Sequence, residues 1–521
     1  MQGDYLMAID AGTGSVRAVV FDPEGRQLGC TQREWRHRED PRWPGSMDFD
    51  WKANWETTCA CVKGVLAETG ISPHRIAAVS STCMREGIVL YDAAGSEIWA
   101  CANVDARASA EAAQLKRMGD GLERELYMES GQTFALSALP RLLWVKNNLP
   151  DIYSKIAKIG MINDWILYRL SGTLAVDPSN GSTTGLFNLK TRKWDADIAH
   201  RCGLRDDVFP DTAECGTAIA AVSQKGAEES GLARGTPLVI GGGDAQLGTV
   251  GVGVVGENEA VVFGGSFWQY EYNTASPVCP PECSVRVNCH AVEDLWQYEA
   301  IAFFPGLAMR WFRDAFCAEE KSVAARTNAD PYALMDRAAA GVPPGAHGII
   351  CTFSNVMNYI DWKHAAPSFL NFSLNPETHG KSAFYRALLE NAALVTRGHA
   401  LLVENAVGKR PEKIVFAGGA AKSRLWPQIL ADALGIPVEI PVVKEATALG
   451  AAILAGKGIG MYPEVKETAR RLAKREKTFT PDNENGEIYA RAYERWKAAY
   501  APQLRLSDEK ITRHMWSAPG L

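Results

Sequence analysis

The sequence predicts an α/β protein of two domains about a central cleft, and three observations carry that prediction. Helical periods and apolar strands alternate along the whole chain instead of segregating into blocks. With 521 residues, 46% of them hydrophobic and 22% charged, the chain has globular composition and is too long for one ordinary core. The strand, glycine turn, strand design of MAIDAGTGSVRAVVFD (7–22) returns roughly 250 residues later in AVVFGGSFWQYEYN (260–273), so two facing halves would set two such turns across one cleft.

In the opening segment Asp10 ends the first strand, Gly12, Thr13, Gly14 and Ser15 form the turn, and Arg17 begins the return strand. A turn of this kind aims backbone N–H groups and small hydroxyls at one point, which is how backbone binds phosphate. The stretch PRWPGSMDFDWKANW (41–55) follows; Trp51 and Trp55 at helical spacing read as core residues or as a cover over the site. A buried strand at 76–81 leads into STCMREGIVLYD (81–92), where Arg85 and Glu86 offer donors and acceptors for vicinal hydroxyls or carbonyls, or else form a surface ion pair.

Further strands are expected at 237–244, 259–267 and 413–420, each ending in glycines. In GGGDAQ (241–246) Asp244 reads either as a carboxylate held at the cleft or as the cap of the following helix, and Gln246 stands beside it as an acceptor contact. The glycines of GTVGVGVVG (248–256) suggest a hinge, or a helix start packed close to a strand. The expected organisation is thus an N-terminal domain over 1–250, a C-terminal domain over 251–500 and a tail over 501–521. CPPECSVRVNCH, with Cys279, Cys283, Cys289 and His290, lacks the compact spacing of a structural zinc site and reads as ordinary thiols. RRLAKRE (470–476) reads as a solvated helix face, and Tyr489, Tyr493, Trp496 and Tyr500 as the apolar face of a C-terminal helix.

The balance of 55 basic and 61 acidic residues, net charge −6, gives no attraction for nucleic acid or acidic lipid. No apolar run approaches the roughly 18–20 residues of a membrane span, and scattered cysteines without a secretory leader predict a cytoplasmic protein with a small solute as partner. Phosphoryl transfer requires turns for the polyphosphate, an acid for Mg²⁺ and a base at the acceptor hydroxyl. The two glycine turns, Gly12–Ser15 and Gly264, Gly265 and Ser266, with Asp10 and Asp244, are candidates for these parts; neither a GxxxxGK[ST] loop nor the protein-kinase set is present.

These motifs in this order resemble the FGGY carbohydrate kinases, whose members have the actin/hexokinase-type, ribonuclease H-like ATPase fold. The resemblance rests on DAGTGSVR (10–17), DPSNGSTTGLFNLKTRKWD (177–195), GGGDAQLG (241–248) and the long run from Gly418 to Ala455. It implies ATP with Mg²⁺, Asp10 as the metal-associated acid, Thr13 and Arg17 as contacts of the first phosphate turn, and Asp244 as the base. It further implies Arg85 and Glu86 as the acceptor-binding pair, with Trp268 lining the pocket. Gly264 and Gly265 would form the second phosphate turn, with Gly306 and Arg310 beside the nucleotide and Gly418, Gly419 and Ser423 on the adenosine side.

Three departures from the family are visible. Gly265 stands where many relatives have threonine, Arg310 replaces a common glutamine, and QTFALSALPRLLW lacks the pocket tyrosine of glycerol kinases. GSMDFDWKANWE, STCMREGIVLYD and FGGSFWQYEYN resemble most the members that phosphorylate the primary hydroxyl of linear 4,5-dihydroxypentane-2,3-dione, a quorum-sensing signal. The alternatives are a kinase of a ketopentose or tetritol, and a non-enzymatic sensor that uses ATP only to hold a closed state. Control by a protein of the sugar phosphotransferase system recurs in related kinases.

Overall fold

The N-terminal half is built on a strand pattern that leaves its chemistry at one end. In the computed structural model, which describes residues 4–119 and 121–521, strands β1 (Tyr5–Ala11), β2 (Ser15–Phe21), β3 (Gln27–Glu34), β4 (Ile76–Cys83), β5 (Ala218–Ala221) and β6 (Pro237–Gly243) form one sheet in the order β5-β6-β4-β1-β2-β3. β6, β4 and β1 run parallel, with Gly243 and Ala11 both paired to Cys83. Their carboxyl ends therefore lie side by side, the place where open α/β sheets bind ligands. Helix α1 (Trp51–Thr69), capped by the Asp50 carboxylate at its start and by Gly70 at φ 66° at its end, packs on one face of the sheet. Trp55 is buried in that layer against Trp165, so these tryptophans are core residues.

After β6 comes α2 (Asp244–Gly251), and then the second sheet: β7 (Ala260–Gly264), β8 (Trp268–Thr274), β9 (Arg286–Cys289), β10 (Trp296–Ala302), β11 (Ile414–Ala417), β12 (Val438–Pro441) and β13 (Arg475–Phe479). Its order is β9-β10-β8-β7-β11-β12-β13. The two sheets share one plan, since β1 and β7 each pair antiparallel with the next strand through a glycine turn and parallel with a later one. Helices α3 (Pro305–Phe316), α4 (Lys381–Val407) and α5 (Trp426–Leu434) pack around the second sheet. α6 (Ala446–Gly458) instead returns to the first sheet, where its alanines and leucines meet Leu6, Val19, Val239 and Leu247.

α7 (Asn483–Asp508) buries Tyr489, Tyr493, Trp496 and Tyr500, the expected face. Beyond it, Trp516 and Ser517 pair with Lys363 and His364. Cys279 and Cys283 lie in the apolar core of the second half, while His290 shares a hydrogen bond with Thr249 at 2.7 Å. Among the described residues no helix is long and apolar enough to cross a membrane.

Pleat parity decides what the second sheet offers. Trp268, Tyr270 and Tyr272 on β8 and Tyr298 and Ala300 on β10 enter the core, so Glu271, Asn273, Gln297 and Glu299 face the other way. Of the two readings of the glycines of 248–256, close packing is what the structure displays. Gly248 and Gly251 lie within α2, where a Cβ on Gly251 would fall 1.8 Å from the carbonyl oxygen of Ala446 and one on Gly450 would fall 2.0 Å from that of Leu247. They let α2 and α6 touch backbone to backbone. Gly251→Ala should lower Tm by about 2–12 °C or abolish soluble expression, given ~1–3 kcal/mol for overpacking and ~2–4 °C per kcal/mol. Gly14→Ala, with no atom within 4 Å of the added Cβ, should melt with the parent protein; equal losses in both would refute the packing assignment.

Candidate active site

Three strand ends bring Asp10, Arg85 and Asp244 together. Asp10 is the penultimate residue of β1, Arg85 lies two residues beyond β4, and Asp244 is the first residue of α2, directly after β6. Gly243 occupies the N-cap position, so Asp244 does not cap its helix; its Oδ1 accepts the N–H of Ala245 at 2.8 Å. Arg85 Nε donates to the same oxygen at 3.2 Å. Arg85 is buried, whereas the Asp244 side chain keeps 39% of its surface and so opens to solvent. Its partly enclosed position between the strand ends, with Glu86 near, raises the Asp244 carboxyl above its ordinary value although Arg85 opposes the shift.

Residues of the C-terminal sheet that the sequence reading did not single out complete this cluster. Arg85 is paired through both terminal nitrogens with Glu299, Nη2 to Oε1 at 3.1 Å. Arg286 donates to Glu86 at 2.6 Å and through Nε to Gln132 at 2.8 Å, and Tyr359 donates to the same Gln132 oxygen. Burial pushes the Glu299 carboxyl up, but Arg85 and Arg286 together hold it below its ordinary value. Glu271, directly opposite Glu299 in the β8–β10 register, is driven well above the carboxylate range by burial and by that neighbour, which favours its neutral acid. Glu86 adopts φ 64°, and Arg141 fixes the bend by donating to its carbonyl oxygen. Gln246 is fully buried with neither amide atom paired among the described residues.

The first turn is held from behind. Trp35 Nε1 donates to the carbonyl of Gly12 at 3.0 Å, and the His37 ring lies 2.6 Å from that of Thr13. In trans peptides this points the N–H groups of Thr13 and Gly14 away from those side chains, as an anion-binding turn requires. The Thr13 hydroxyl donates to Asn103 at 3.2 Å, and Ser15 accepts from Gln32 at 3.0 Å. Arg17 lies 3.4 Å from Asp10 and pairs with Glu445, which immediately precedes α6, at 2.5 Å.

The second glycine turn, Gly264, Gly265 and Ser266, expected to bind phosphate, meets two other glycine loops. A Cβ on Gly306, in the first turn of α3, would fall 2.0 Å from the Gly265 carbonyl oxygen, and one on Gly418 would fall 2.6 Å from that of Gly264. Arg310 is exposed one turn along α3. Gly419 opens a short turn that ends at Ser423, whose hydroxyl donates to Asp336 at 2.7 Å and accepts the N–H groups of Leu425 and Trp426. Ser423 thus uses its hydroxyl within the loop. The placement of Trp268 corrects the expected pocket wall: it is fully buried, donates to Thr396 at 2.8 Å and packs on Phe416 and Trp426. Its parity on β8 sends it into the core, while Glu271 on the opposite face approaches Arg85.

Residues 5–251 match the N-terminal domain of the FGGY family of carbohydrate kinases and residues 261–459 its C-terminal domain. The chain is 51% identical over 518 residues to an autoinducer-2 kinase of Escherichia coli, covering 99% of this chain and 98% of the relative. It is 50% identical over 520 residues to one of Salmonella typhimurium, covering 100% and 98%. Xylulose kinase from Rhodospirillum rubrum has the same fold, with TM-score 0.85 at 24% identity over 96% of this chain and 99% of that one. Plasmodium falciparum glycerol kinase with ADP does too, with TM-score 0.83 at 19% identity over 95% and 98%.

Asp10 supplies a pH test. Burial, against the pull of Arg17, raises its carboxyl from 3.8 to about 6. A carboxyl raised on folding favours the folded state fully below its unfolded value, and that contribution is lost as pH rises through the folded value. In EDTA at pH 8 Asp10→Asn should therefore melt above the parent protein, with the difference closing as pH is lowered from 7 to 4. A pH-independent difference in Tm would refute the assignment.

Proposed function

Because the chain belongs to the FGGY family of carbohydrate kinases and is an ATP-dependent phosphotransferase with an alcohol acceptor, we propose that it phosphorylates autoinducer-2, as linear 4,5-dihydroxypentane-2,3-dione, on its primary hydroxyl. The observation that carries this acceptor is full-length identity of 51% to relatives named for it. The pocket chemistry agrees. A short chain with oxygen on four of its carbons suits a site lined by Arg85, Glu86 and the unpaired amide of Gln246.

In the reaction, Asp244 accepts the proton of the primary hydroxyl as its oxygen forms a bond to the γ-phosphorus of ATP; the bond to the bridging oxygen breaks and ADP leaves. Two features fit Asp244 to this work: its carboxylate is open to solvent, and Arg85 at 3.2 Å favours the ionised form needed to take a proton. The N–H groups of Thr13 and Gly14 and the turn at Gly264 and Gly265 would hold the phosphates, with Gly306 and Gly418–Gly419 on the nucleotide side. Asp10, a single buried carboxylate without a cluster of metal-binding side chains around it among the described residues, suits Mg²⁺ brought in on the nucleotide, since that ion takes one or two carboxylates besides phosphate and water. Bound there, Mg²⁺ would neutralise charge on the β- and γ-phosphates. The setting is the cytoplasm, where a charged product cannot recross the membrane and the signal is trapped.

A coupled ADP assay over dihydroxypentanedione, xylulose, erythritol and glycerol tests the reading. The dione should give the highest kcat/KM; a higher value for xylulose or erythritol would replace it with the ketopentose or tetritol kinase, and absence of acceptor-dependent ADP would support the sensor. Asp244→Asn should keep nucleotide affinity and lose turnover by ~10²–10⁴, the range for a positioned base. Arg85→Ala should lower kcat/KM for the acceptor by a factor on the order of 10–100, since one charged hydrogen bond contributes about 1.5–3 kcal/mol, and leave the KM for ATP nearly unchanged.

A further inference from the structure

Each member of the acceptor-binding pair on the N-terminal half is held by an oppositely charged residue of the C-terminal sheet. Arg85 meets Glu299 on β10 and Glu86 meets Arg286 on β9. Arg286 and Glu299 are cross-strand neighbours, with Glu271 beside them on β8, so the three form one row on the polar face of the sheet. Glu299 is fully buried and Arg286 nearly so; a guanidinium and a carboxylate in such surroundings persist only when paired. The titratable groups facing Arg85 are Asp244, Glu299, Glu86, Arg286 and Glu271, the last favouring its neutral acid.

We propose that Glu299 and Arg286 are positioning residues of the acceptor site, fixing Arg85 and Glu86 from the far domain, and that by neutralising both they restrict the site to uncharged acceptors. Arg85 has all three nitrogens turned to carboxylates and Arg286 has its guanidinium between Glu86, Glu299 and Gln132. Neither cation is free to take an acceptor carboxylate. Each keeps N–H groups for neutral oxygens, because a guanidinium has five. The inference rests on the assignment of Arg85 and Glu86 to the acceptor.

The test is steady-state kinetics of Glu299→Gln, Arg286→Gln and Arg286→Lys, read with whichever neutral acceptor the parent enzyme prefers. Glu299→Gln and Arg286→Gln should raise the KM for that acceptor ten- to a hundredfold while the KM for ATP stays within twofold, and Arg286→Lys should recover most of the loss. Gluconate, a polyol with one carboxylate, should not compete with the acceptor in the parent enzyme and should do so in Glu299→Gln, where Arg85 loses its main counter-charge. Equal rises in both KM values, an acceptor KM within threefold of the parent, or competition by gluconate in the parent would overturn the proposal. If Glu299→Gln does not fold, the Arg286 pair decides, with equal acceptor KM values for Lys and Gln counting against it. A parent enzyme that prefers xylulose overturns the acceptor named above without touching this inference, whereas unaltered acceptor kinetics in Arg85→Ala would remove its premise.

Discussion

A charge buried between two domains must be paired, and in this molecule the pairing runs across the domain junction. Arg85 and Glu86 project from the first sheet, Glu299 and Arg286 from the second, and Arg85 pairs with Glu299 and Glu86 with Arg286 across the junction, besides the contacts Arg85–Asp244 and Arg286–Glu299 within each half. Separating the halves would break both cross-junction pairs, leaving Glu86 without its Arg286 partner and Arg85 and Arg286 each with one counter-charge fewer. The relative placement of the two sheets, and hence of the two glycine turns, is therefore tied to the same side chains that are proposed to meet the acceptor. Arg17 and Glu445 add a second tie of the same kind near the first turn.

The contacts around this network are made by backbone. α2 and α6 touch through Gly251 and Gly450, and the loops at Gly265, Gly306 and Gly418 close on one another at distances no side chain would permit. Asp244 is thereby carried on a helix whose start is anchored by β6 and whose flank is anchored by α6. A carboxylate placed this way keeps its position while its side chain stays open to solvent.

Much of this was legible in the sequence because it is local. A strand that ends in Asp, Ala, Gly, Thr, Gly can do little except turn, so Asp10 and the first turn followed from a dozen residues, as did the strand end that presents Asp244. Glu299 and Arg286 were not legible because they lie 214 and 200 residues from their partners. A local signal did exist: WQYEYN and WQYEA alternate aromatic and polar residues, which marks strands with one polar face, though not what that face meets. The same alternation would have placed Trp268 correctly, since a tryptophan in register with Tyr270 and Tyr272 shares their core. The glycines of 248–256 left two readings open for a different reason, because glycine content alone does not separate freedom of the chain from close approach of a neighbour.

α6 has a consequence for how the chain reaches this state. It belongs by position to the last quarter of the sequence, yet it covers Leu6, Val19 and Val239 of the first sheet. During synthesis at ~5–20 residues per second, the roughly 200 residues between α2 and the end of α6 take about 10–40 s to emerge. For that interval the apolar surface that α6 will cover on the first sheet lies open, so the nascent N-terminal half is not yet a finished folding unit. Cutting the chain between its two sheets would fix that transient state permanently, so the halves are separable on paper but not as independently expressed proteins.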